Sequence, residues 1–311
     1  MSEFHHVSVL LDECIQALNI KPDGIYVDGT LGGAGHSYHI AEKLTTGRLI
    51  GIDRDPVALA AAGKRLEPFG DRVTLVHSNF CRMAQVLEEL GIPGVDGILL
   101  DLGVSSPQLD DGARGFSYMA DAPLDMRMDS GDVLTAYTVV NTWSQEELKR
   151  ILYDYGEERY APAIAAAIVR RRETAPIETT LELVDVIRSA MPAAALREKQ
   201  HPAKRSFQAI RIAVNDELNS VSQAMETMIP KLNPGGRLAV ITFHSLEDRI
   251  VKSAMAAGAK GCICPPEFPV CVCGRKPQVK LLTRKPIVSG EEELDQNPRA
   301  RSAKLRVCEK L

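Results

Sequence analysis

The chain has 311 residues, of which 45% are hydrophobic and 25% are charged, as expected for a globular protein and unlike a disordered or fibrous one. Because the net charge is −4, any contact with nucleic acid would depend on local basic patches. No apolar run approaches the length of a membrane span, and Asp12 and Glu13 stand where a signal peptide would need apolar residues. The composition therefore predicts a cytoplasmic protein of one or two domains, without membrane contact.

The first third of the chain is organised around a glycine-rich loop. An apolar run at 24–27 predicts a buried strand that ends at Asp28, and a helix is predicted to begin at His36. Glycine permits a tight turn and close approach of a ligand to the backbone, and the start of the helix offers free N–H groups. Strand, loop and helix together are typical of a nucleotide-cofactor site. The glycines of the loop are Gly29, Gly32, Gly33 and Gly35.

The loop does not have the spacing of a dinucleotide site, G-x-G-x-x-G. From Gly33, the second glycine falls at Gly35, but Tyr38 occupies the third position. The carboxylate of Asp28 at the strand end would repel a pyrophosphate, and it suits a cationic ligand such as S-adenosylmethionine. We therefore expect S-adenosylmethionine rather than a nicotinamide cofactor. A glycine turn without any ligand is the alternative.

Strands and helices alternate through the first hundred residues, which predicts a parallel sheet with helices on both faces. Three of the predicted strands end on an acid, namely Asp28, Asp53 and Asp101. One such acid is most simply a solvated residue or a helix cap. Three at the carboxyl edge of one sheet, beside a glycine loop, indicate a shared ligand site. The predicted strands are 24–27, 48–53, 73–77 and 97–102, and the predicted helices are 9–19, 36–44, 57–66 and 83–90.

A helical segment is predicted to interrupt the sheet. Residues 108–128 are loop-like, and residues 132–213 show helical periodicity without convincing strands. The sheet then resumes, and its last strand is expected to be an antiparallel edge strand whose lysine and arginine discourage aggregation. The predicted domains are 1–110, 111–213 (helical insertion) and 214–311. The helices are 133–142, 145–155, 160–172, 180–191 and 206–215, and the later strands are 237–243, 280–283 and 303–308.

Several motifs in this order resemble those of the RsmH (MraW) family of S-adenosylmethionine-dependent methyltransferases. The resemblance covers nearly the whole chain. Small departures occur at Ser8, where the family has proline, and at Lys204-Arg205-Ser206, where it is rich in threonine; neither lies in a cofactor motif. The main motifs are Asp28-Gly-Thr-Leu-Gly-Gly-Ala-Gly-His-Ser, Ile52-Asp-Arg-Asp-Pro, Asp101-Leu-Gly-Val-Ser-Ser-Pro-Gln-Leu-Asp, Arg114-Gly-Phe-Ser, Phe243-His-Ser-Leu-Glu-Asp-Arg and Asn297-Pro-Arg-Ala-Arg-Ser.

The resemblance implies an α/β fold of class I, with a Rossmann-like sheet of seven strands and an inserted all-helical domain. It also implies methylation of N4 of a cytidine in the decoding region of 16S ribosomal RNA, within the bacterial small ribosomal subunit. Asp53 would hold the ribose hydroxyls and Phe80 would lie near the adenine. Asp101 and Gln108 would lie near the methionine end or the sulfonium. Loop contacts to the cofactor would come from Ala34, Gly35 and His36.

The proposed reaction needs alignment of the two substrates and an acceptor for a proton of the amine. Asp101 can be that acceptor, or it can orient the cofactor, and the sequence leaves both roles open. His244 and the serines at 105 and 106 can read the Watson–Crick edge of a flipped-out base, although His244 can equally be a structural histidine. The catalytic candidates are therefore Asp101, Ser106 and His244. The run from Asp101 to Ser106 contains no aromatic residue, so stacking on the base would come from Phe116, Tyr118 or Phe243, unless these belong to the core.

Four of the seven cysteines form a C-x-C…C-x-C set near the C-terminus. Four thiolates can close a tetrahedral structural zinc site, although C-x₂-C spacing is commoner. The alternative is a reduced, metal-free or disulfide-prone loop. Such a zinc would order a loop and would not take part in the reaction. The four residues are Cys262, Cys264, Cys271 and Cys273.

Basic residues are concentrated at 170–172, 197–211 and 275–285. We interpret the first run as a solvated helix face and the later two as contacts to RNA phosphates. Two other functions are compatible with the sequence: a methyltransferase of another RNA, DNA or protein, and a ribosome-binding factor without activity. The sequence leaves the oligomeric state open, with a homodimer among the alternatives.

Overall fold

The computed structural model describes residues 8–105, 108, 111–262, 264–265, 267–270 and 272–311. The chain divides into two compact units. The sheet unit runs through Gly103 and resumes at Leu218, and the helical unit is Val104–Glu217. These bounds lie a few residues outside the predicted insertion 111–213. The reason is visible at both ends: Val104 packs against the helical core, and the Asn215 side chain bonds to the backbone of Met126 and Met128.

The sheet unit contains a single mixed sheet of seven strands in the order β3-β2-β1-β4-β5-β7-β6. Strands β1 to β5 are parallel, and β7 is antiparallel to both of its neighbours. The predicted seven-stranded α/β sheet is thus confirmed. The strands are β1 Ile25–Asp28, β2 Arg48–Asp53, β3 Val73–His77, β4 Val95–Asp101, β5 Leu232–Thr242, β6 Val279–Leu281 and β7 Lys304–Lys310.

The predicted position of the last strand is wrong, because β7 is an interior strand and β6 is the edge. β7 pairs along one side with β5 and along the other with β6. The basic residues of β7 therefore do not protect an edge of the sheet from pairing with another chain. Arg306 is buried, and its guanidinium donates to both carboxylate oxygens of Asp248, at 2.6 and 3.1 Å. A paired charge of this kind is compatible with an interior strand.

Helices cover both faces of the sheet, so its central strands are buried on both sides. In β1, Tyr26 belongs to the hydrophobic cluster on one face and Val27 to the cluster on the other, as the alternation of a strand requires. Three helices without a sequence prediction, α10, α11 and α12, complete this unit. Its helices are α1 Leu11–Leu18, α2 Gly35–Lys43, α3 Pro56–Leu66, α4 Met83–Glu89, α10 Glu217–Lys231, α11 Ser245–Ala259 and α12 Glu291–Gln296.

The helical unit has its own hydrophobic core and five of the helices. Two of them begin with a capping box, in which a side chain accepts from the backbone three residues on and an acid returns a bond. These boxes pair Ser144 with Glu147 and Thr179 with Glu182. Among the residues described, no helix is long and apolar enough to cross a bilayer. The five helices are α5 Ala136–Thr142, α6 Gln145–Asp154, α7 Ala161–Thr174, α8 Thr180–Ser189 and α9 Lys204–Asn215.

Candidate active site

The glycine loop connects the end of β1 to the start of α2. Its backbone turns through left-handed conformations at Gly32 (φ 48°) and at Ala34 (φ 57°), the residue that precedes α2. The Ala34 side chain has no polar atom with which to cap the helix, and its backbone N–H donates to the carbonyl of Leu31 at 2.7 Å. A Cβ on Gly35 would lie 1.8 Å from the Ser8 hydroxyl oxygen, so a larger residue there would displace the Ser8 side chain. The first turn of α2 thus follows the loop directly, and its N–H groups have no side-chain cap at Ala34.

Asp53 joins this loop to the end of β2. Its carboxylate accepts hydrogen bonds from the backbone N–H of Gly32 at 2.7 Å and of Asp55 at 2.8 Å. Burial raises the pKa of Asp53 above its usual value. Asp53 therefore fixes the position of the loop, and a carboxylate has lone pairs left for further donors.

Asp28 is buried at the end of β1 and is fully engaged within the protein. Its Oδ2 accepts from the Ser37 hydroxyl at 2.7 Å, and its Oδ1 accepts from the Thr30 N–H at 3.2 Å. Burial raises its pKa to about 6. Asp28 thus ties β1 to α2 and the loop, and its influence on a ligand would come from its charge.

Asp101 ends β4, on the strand next to β1, and differs from the other two acids in its hydrogen bonding. Its Oδ1 is buried and has no hydrogen-bond partner among the described residues. Its backbone N–H donates to the Thr30 hydroxyl at 2.6 Å, which fixes the main chain. Loss of hydration, and then the charges of Asp28 and Glu247, raise the pKa of Asp101 to about 8. The backbone bond thus fixes the position of Asp101, and one of its carboxylate oxygens has no hydrogen-bond donor in the described part of the chain.

His36 lies beside Asp101 in the first turn of α2. Its Nε2 is 3.0 Å from the Val9 carbonyl, which can only accept, so Nε2 is the donor. This leaves Nδ1 facing Asp101, 3.8 Å from Oδ2. Within the described residues, neither Asp28, Asp53 nor Asp101 forms an ion pair with lysine or arginine. The strand ends therefore hold several acids that have no lysine or arginine partner in the described part of the chain.

Phe80 follows the end of β3 and lies against the glycine loop. A Cβ on Gly29 would be 3.2 Å from the Cβ of Phe80, which places the two residues in contact. Asn79 fixes the turn, because its side chain accepts from the Cys81 N–H and donates to the Ser220 hydroxyl at 3.2 Å. The half-buried ring of Phe80 is thus positioned next to the glycine loop, on a rigid turn.

His244 caps the N-terminus of α11, at the end of β5. Its Nδ1 accepts from the Glu247 N–H at 3.5 Å, and its Nε2 lies 3.1 Å from Glu247 Oε1. The buried Glu247 carboxylate also accepts from the Phe243 N–H at 2.9 Å. The structural role that the sequence left open for this histidine is therefore present. Any contact of its ring with a substrate would have to coexist with the cap.

Other candidates lie in the helical unit or outside the described residues. Gln108 is buried, and its Oε1 accepts from the Ser105 N–H at 3.1 Å. Ser106 lies outside the described residues. Phe116 belongs to the hydrophobic core of the helical unit, so its ring is committed to packing. Tyr118 stacks on His201, with ring centroids 4.6 Å apart and planes at 17°.

Of the four clustered cysteines, Cys271 lies outside the described residues and the other three converge. The Sγ atoms of Cys262, Cys264 and Cys273 all lie within 4.8 Å of one another. They belong to the segment between α11 and β6 and not to the edge that holds Asp101.

Thr30 and Glu247 are site residues that the sequence did not single out. Thr30 lies inside the glycine motif, and its hydroxyl could have been considered as a backbone acceptor. Glu247 occupies the third position of a helix that begins after a polar residue, which is the pattern of a capping box. The resulting site combines a glycine cradle, a helix start and an excess of carboxylates. It is suited to a ligand that combines hydroxyl groups and a positive charge.

The sheet combines parallel strands β1 to β5, an antiparallel β7 between β5 and β6, and a glycine loop after β1. This arrangement defines a class I S-adenosylmethionine-dependent methyltransferase fold. The chain belongs to the MraW methylase family, whose model it matches over residues 3–311. The family resemblance predicted from the motifs is thereby confirmed.

The chain is also similar to curated proteins over its full length. It is 60% identical over 309 residues to ribosomal RNA small subunit methyltransferase H of Brevibacillus brevis, covering 99% of this chain and 98% of that protein. It is 59% identical over 310 residues to the protein of the same name from Heliobacterium modesticaldum, covering 99% of each. A third relative of that name, from Geobacter sp., is 58% identical over 312 residues and is covered completely by this chain.

Proposed function

We propose that this protein transfers a methyl group from S-adenosylmethionine to N4 of a cytidine in the decoding region of 16S ribosomal RNA, acting on the small ribosomal subunit in the cytoplasm. The observation that supports this most directly is the Asp101 carboxylate at the end of β4, which has a buried oxygen without a donor. The relatives' names supply the small-subunit ribosomal RNA. The base and the atom follow from the resemblance of the motifs around Asp101.

The residues of the site fit this cofactor. Among the residues that the structure describes, the acids at the strand ends have no lysine or arginine partner, and a sulfonium and an ammonium would supply positive charge there. Asp53 would accept from the ribose hydroxyls while it keeps its bonds to Gly32 and Asp55. Phe80 would contact the adenine. Ala34, Gly35 and His36 would line the loop side of the cofactor, and Gln108 the methionine end. When bound, S-adenosylmethionine supplies a methyl group activated by its positively charged sulfur.

The protein's main contribution to such a transfer is alignment, which supplies up to roughly 7–11 kcal/mol in favourable cases. The cytosine amine is a weak nucleophile because its lone pair is delocalised into the ring. We assign to Asp101 the role of accepting a hydrogen bond from that amine, and then its proton. Asp101 can do so only when ionised, and a positive charge beside it favours the ionised form. Binding of the cofactor would therefore favour the ionised form of Asp101, which is the form that can accept the proton.

Base recognition is assigned to His244 and Ser106, whose side chains would bond to the Watson–Crick edge of a flipped-out cytosine. Glu247 would hold the His244 ring in a fixed orientation, since both ring nitrogens lie near Glu247 atoms. Phe243 remains the aromatic candidate of the sheet unit. Its ring is half-buried against the hydrophobic cluster that contains Tyr26, and it would lie 3.4 Å from a Cβ on Gly103.

Contacts to RNA phosphates are assigned to the two later basic runs, 197–211 and 275–285, and the five basic side chains of the second run are all exposed. The run at 170–172 is different, because Arg172 donates to the carbonyls of Val140 and Trp143 and so stabilises the helical unit. The basic residues of the run at 275–285 are Arg275, Lys276, Lys280, Arg284 and Lys285.

Replacement of Asp53 by alanine should weaken S-adenosylmethionine binding by about 10- to 100-fold, because hydrogen bonds to a charged group contribute roughly 1.5–3 kcal/mol. Both the ribose contact and the bond that holds Gly32 would be lost. Asparagine keeps one acceptor and should lose less. Calorimetric titration of the two variants measures this. Asp71→Ala, at an exposed carboxylate of the same unit, is the matched control, and unchanged affinity in Asp53→Ala would contradict the assignment.

The proposed function is tested by mass mapping of 16S ribosomal RNA from cells with and without this protein. We expect one cytidine of the decoding region to lose a methyl group on N4 when the protein is absent, and to regain it when the gene is restored. Purified protein should methylate small subunits from the deficient cells and not naked DNA. If the ribosomal RNA is unchanged and another RNA, a DNA or a protein accepts the methyl group, the alternative substrate is correct.

A further inference from the structure

The segment between α11 and β6 lacks the apolar support that orders the rest of the sheet unit. From Lys260 to Gln278, no described residue is buried. The two ends of the segment are nevertheless held together, because Gln278 N–H donates to the Gly258 carbonyl at 2.8 Å and the Arg275 guanidinium donates to the Ala257 carbonyl at 2.8 Å. The segment therefore begins and ends at the same place on the sheet unit. Because no hydrophobic core supports the residues between these two ends, another interaction must stabilise their conformation.

Three thiols meet in this segment. The Sγ atoms of Cys262, Cys264 and Cys273 lie within 4.8 Å of one another, and those of Cys262 and Cys273 are 3.8 Å apart. Two backbone N–H groups point at the sulfurs: Cys264 N–H at Cys262 Sγ (3.4 Å) and Val272 N–H at Cys264 Sγ (3.3 Å). Thiolates are the form that binds metal ions.

The spacing of these sulfurs suits one metal ion better than a disulfide. Zinc–thiolate bonds of ~2.3 Å in a tetrahedral site separate any two sulfurs by ~3.8 Å. The Cys262–Cys273 separation of 3.8 Å has this value, and it is nearly twice the ~2.05 Å of an S–S bond. A disulfide would also use only two of the three converging sulfurs. Soft thiolate ligands select zinc among the common divalent ions without redox chemistry.

We propose that Cys262, Cys264 and Cys273 bind a structural zinc ion that orders the segment between α11 and β6. The ion cross-links residues that no hydrophobic core holds, and it has no part in methyl transfer. The ordered segment presents apolar and basic side chains to solvent together: Phe268, Val270 and Val272 are exposed, beside Arg275 and Lys276. The inference does not depend on the proposed RNA substrate.

The test is metal analysis of the full chain, purified without chelators and without a nickel column from cells grown with zinc. We expect one zinc per chain, measured by plasma mass spectrometry. The triple variant Cys262→Ser/Cys264→Ser/Cys273→Ser should contain none. Cys81→Ser removes a thiol outside the cluster and should keep the full zinc content. Because the segment has no buried residue among those described, the triple variant should fold and should bind S-adenosylmethionine as the wild type does.

Hydrogen exchange supplies a second measurement that does not depend on isolating the metal. Amides of the segment should exchange slowly in the zinc-loaded protein and rapidly in the triple variant, while those of the central strands stay unchanged. Absence of zinc from the wild type, or its retention by the triple variant, would overturn the proposal. A wild-type mass two units low, restored by reducing agent, would show a disulfide in its place. None of these results depends on methylation of RNA, so this inference and the proposed function can fail separately.

Discussion

Replacement of Asp101 by asparagine should lower the rate of methyl transfer by about 10²- to 10⁴-fold, the usual contribution of a positioned proton acceptor. The amide cannot take a proton from the amine, and it also lacks the negative charge that faces the proposed sulfonium. Alanine at the same position should abolish transfer. The effect should appear in kcat measured at saturating RNA and cofactor, with tritiated S-adenosylmethionine and small subunits from deficient cells as substrates.

The same substitution should not destabilise the fold, which separates a loss of chemistry from a loss of structure. The folded-state pKa of Asp101, about 8, is higher than its ordinary value of 3.8. The folded protein therefore binds more protons than the unfolded chain between these values, and this carboxyl makes the free energy of unfolding fall as pH rises. The amide of Asp101→Asn is neutral throughout, so the variant should be at least as stable as the wild type at pH 8. Urea unfolding at pH 6 and pH 8 measures the difference.

Asp96→Asn is the matched control for this experiment. Asp96 lies in the same strand β4, towards its start, where it accepts from the Ile25 N–H at 3.0 Å and pairs with Lys21 at 3.1 Å. The change in charge and shape is identical, but the residue lies away from the strand ends that form the site. Its transfer rate should stay close to that of the wild type. Wild-type turnover by a well-folded Asp101→Ala protein would contradict the catalytic assignment.

The elements of the sheet could largely be predicted from the sequence because β1 to β4 are short apolar runs that end on a polar residue. The arrangement of the later strands could not. Local pattern shows that 304–310 can form a strand, but its position between β5 and β6 depends on pairings between distant parts of the chain. α10 was missed although its pattern was available: Val221, Ala224, Met225, Met228 and Ile229 recur at helical spacing and all face the core.

The acids that lie together at the strand ends could be predicted from the sequence, because parallel strands bring their carboxyl ends to one edge of the sheet. Which acid keeps an oxygen without a hydrogen-bond donor was not predictable. Asp28 and Asp101 occupy equivalent places in the sequence pattern, yet of the two only Asp101 has a buried oxygen without a donor among the described residues. The difference comes from Ser37, one turn into α2, whose hydroxyl bonds to Asp28. Such contacts depend on side-chain directions that spacing does not fix.

Binding of S-adenosylmethionine should strengthen steeply between pH 6 and pH 8, by about tenfold per pH unit below the pKa of Asp101. A sulfonium binds well only beside an ionised carboxylate, and the Asp101 pKa of about 8 means that the free protein holds a proton there at neutral pH. Binding of the S-adenosylmethionine cation must therefore release the proton from Asp101. The affinity should therefore rise as pH rises and level off above about 8, because Asp101 is then already ionised. Asp28, whose pKa is about 6, should affect only the acid end of the curve.

S-adenosylhomocysteine isolates the contribution of the sulfonium, because it has the same amino acid and nucleoside parts but a neutral sulfur. We expect the ratio of the two affinities to rise with pH in the wild type and to be nearly flat in Asp101→Asn. Calorimetry in two buffers of different ionisation enthalpy should also detect close to one proton released per sulfonium bound at pH 7, and almost none for the variant. A ratio independent of pH in the wild type would mean that Asp101 does not face the positive charge. The proton acceptor for the amine would then have to be sought among the other groups at the strand ends.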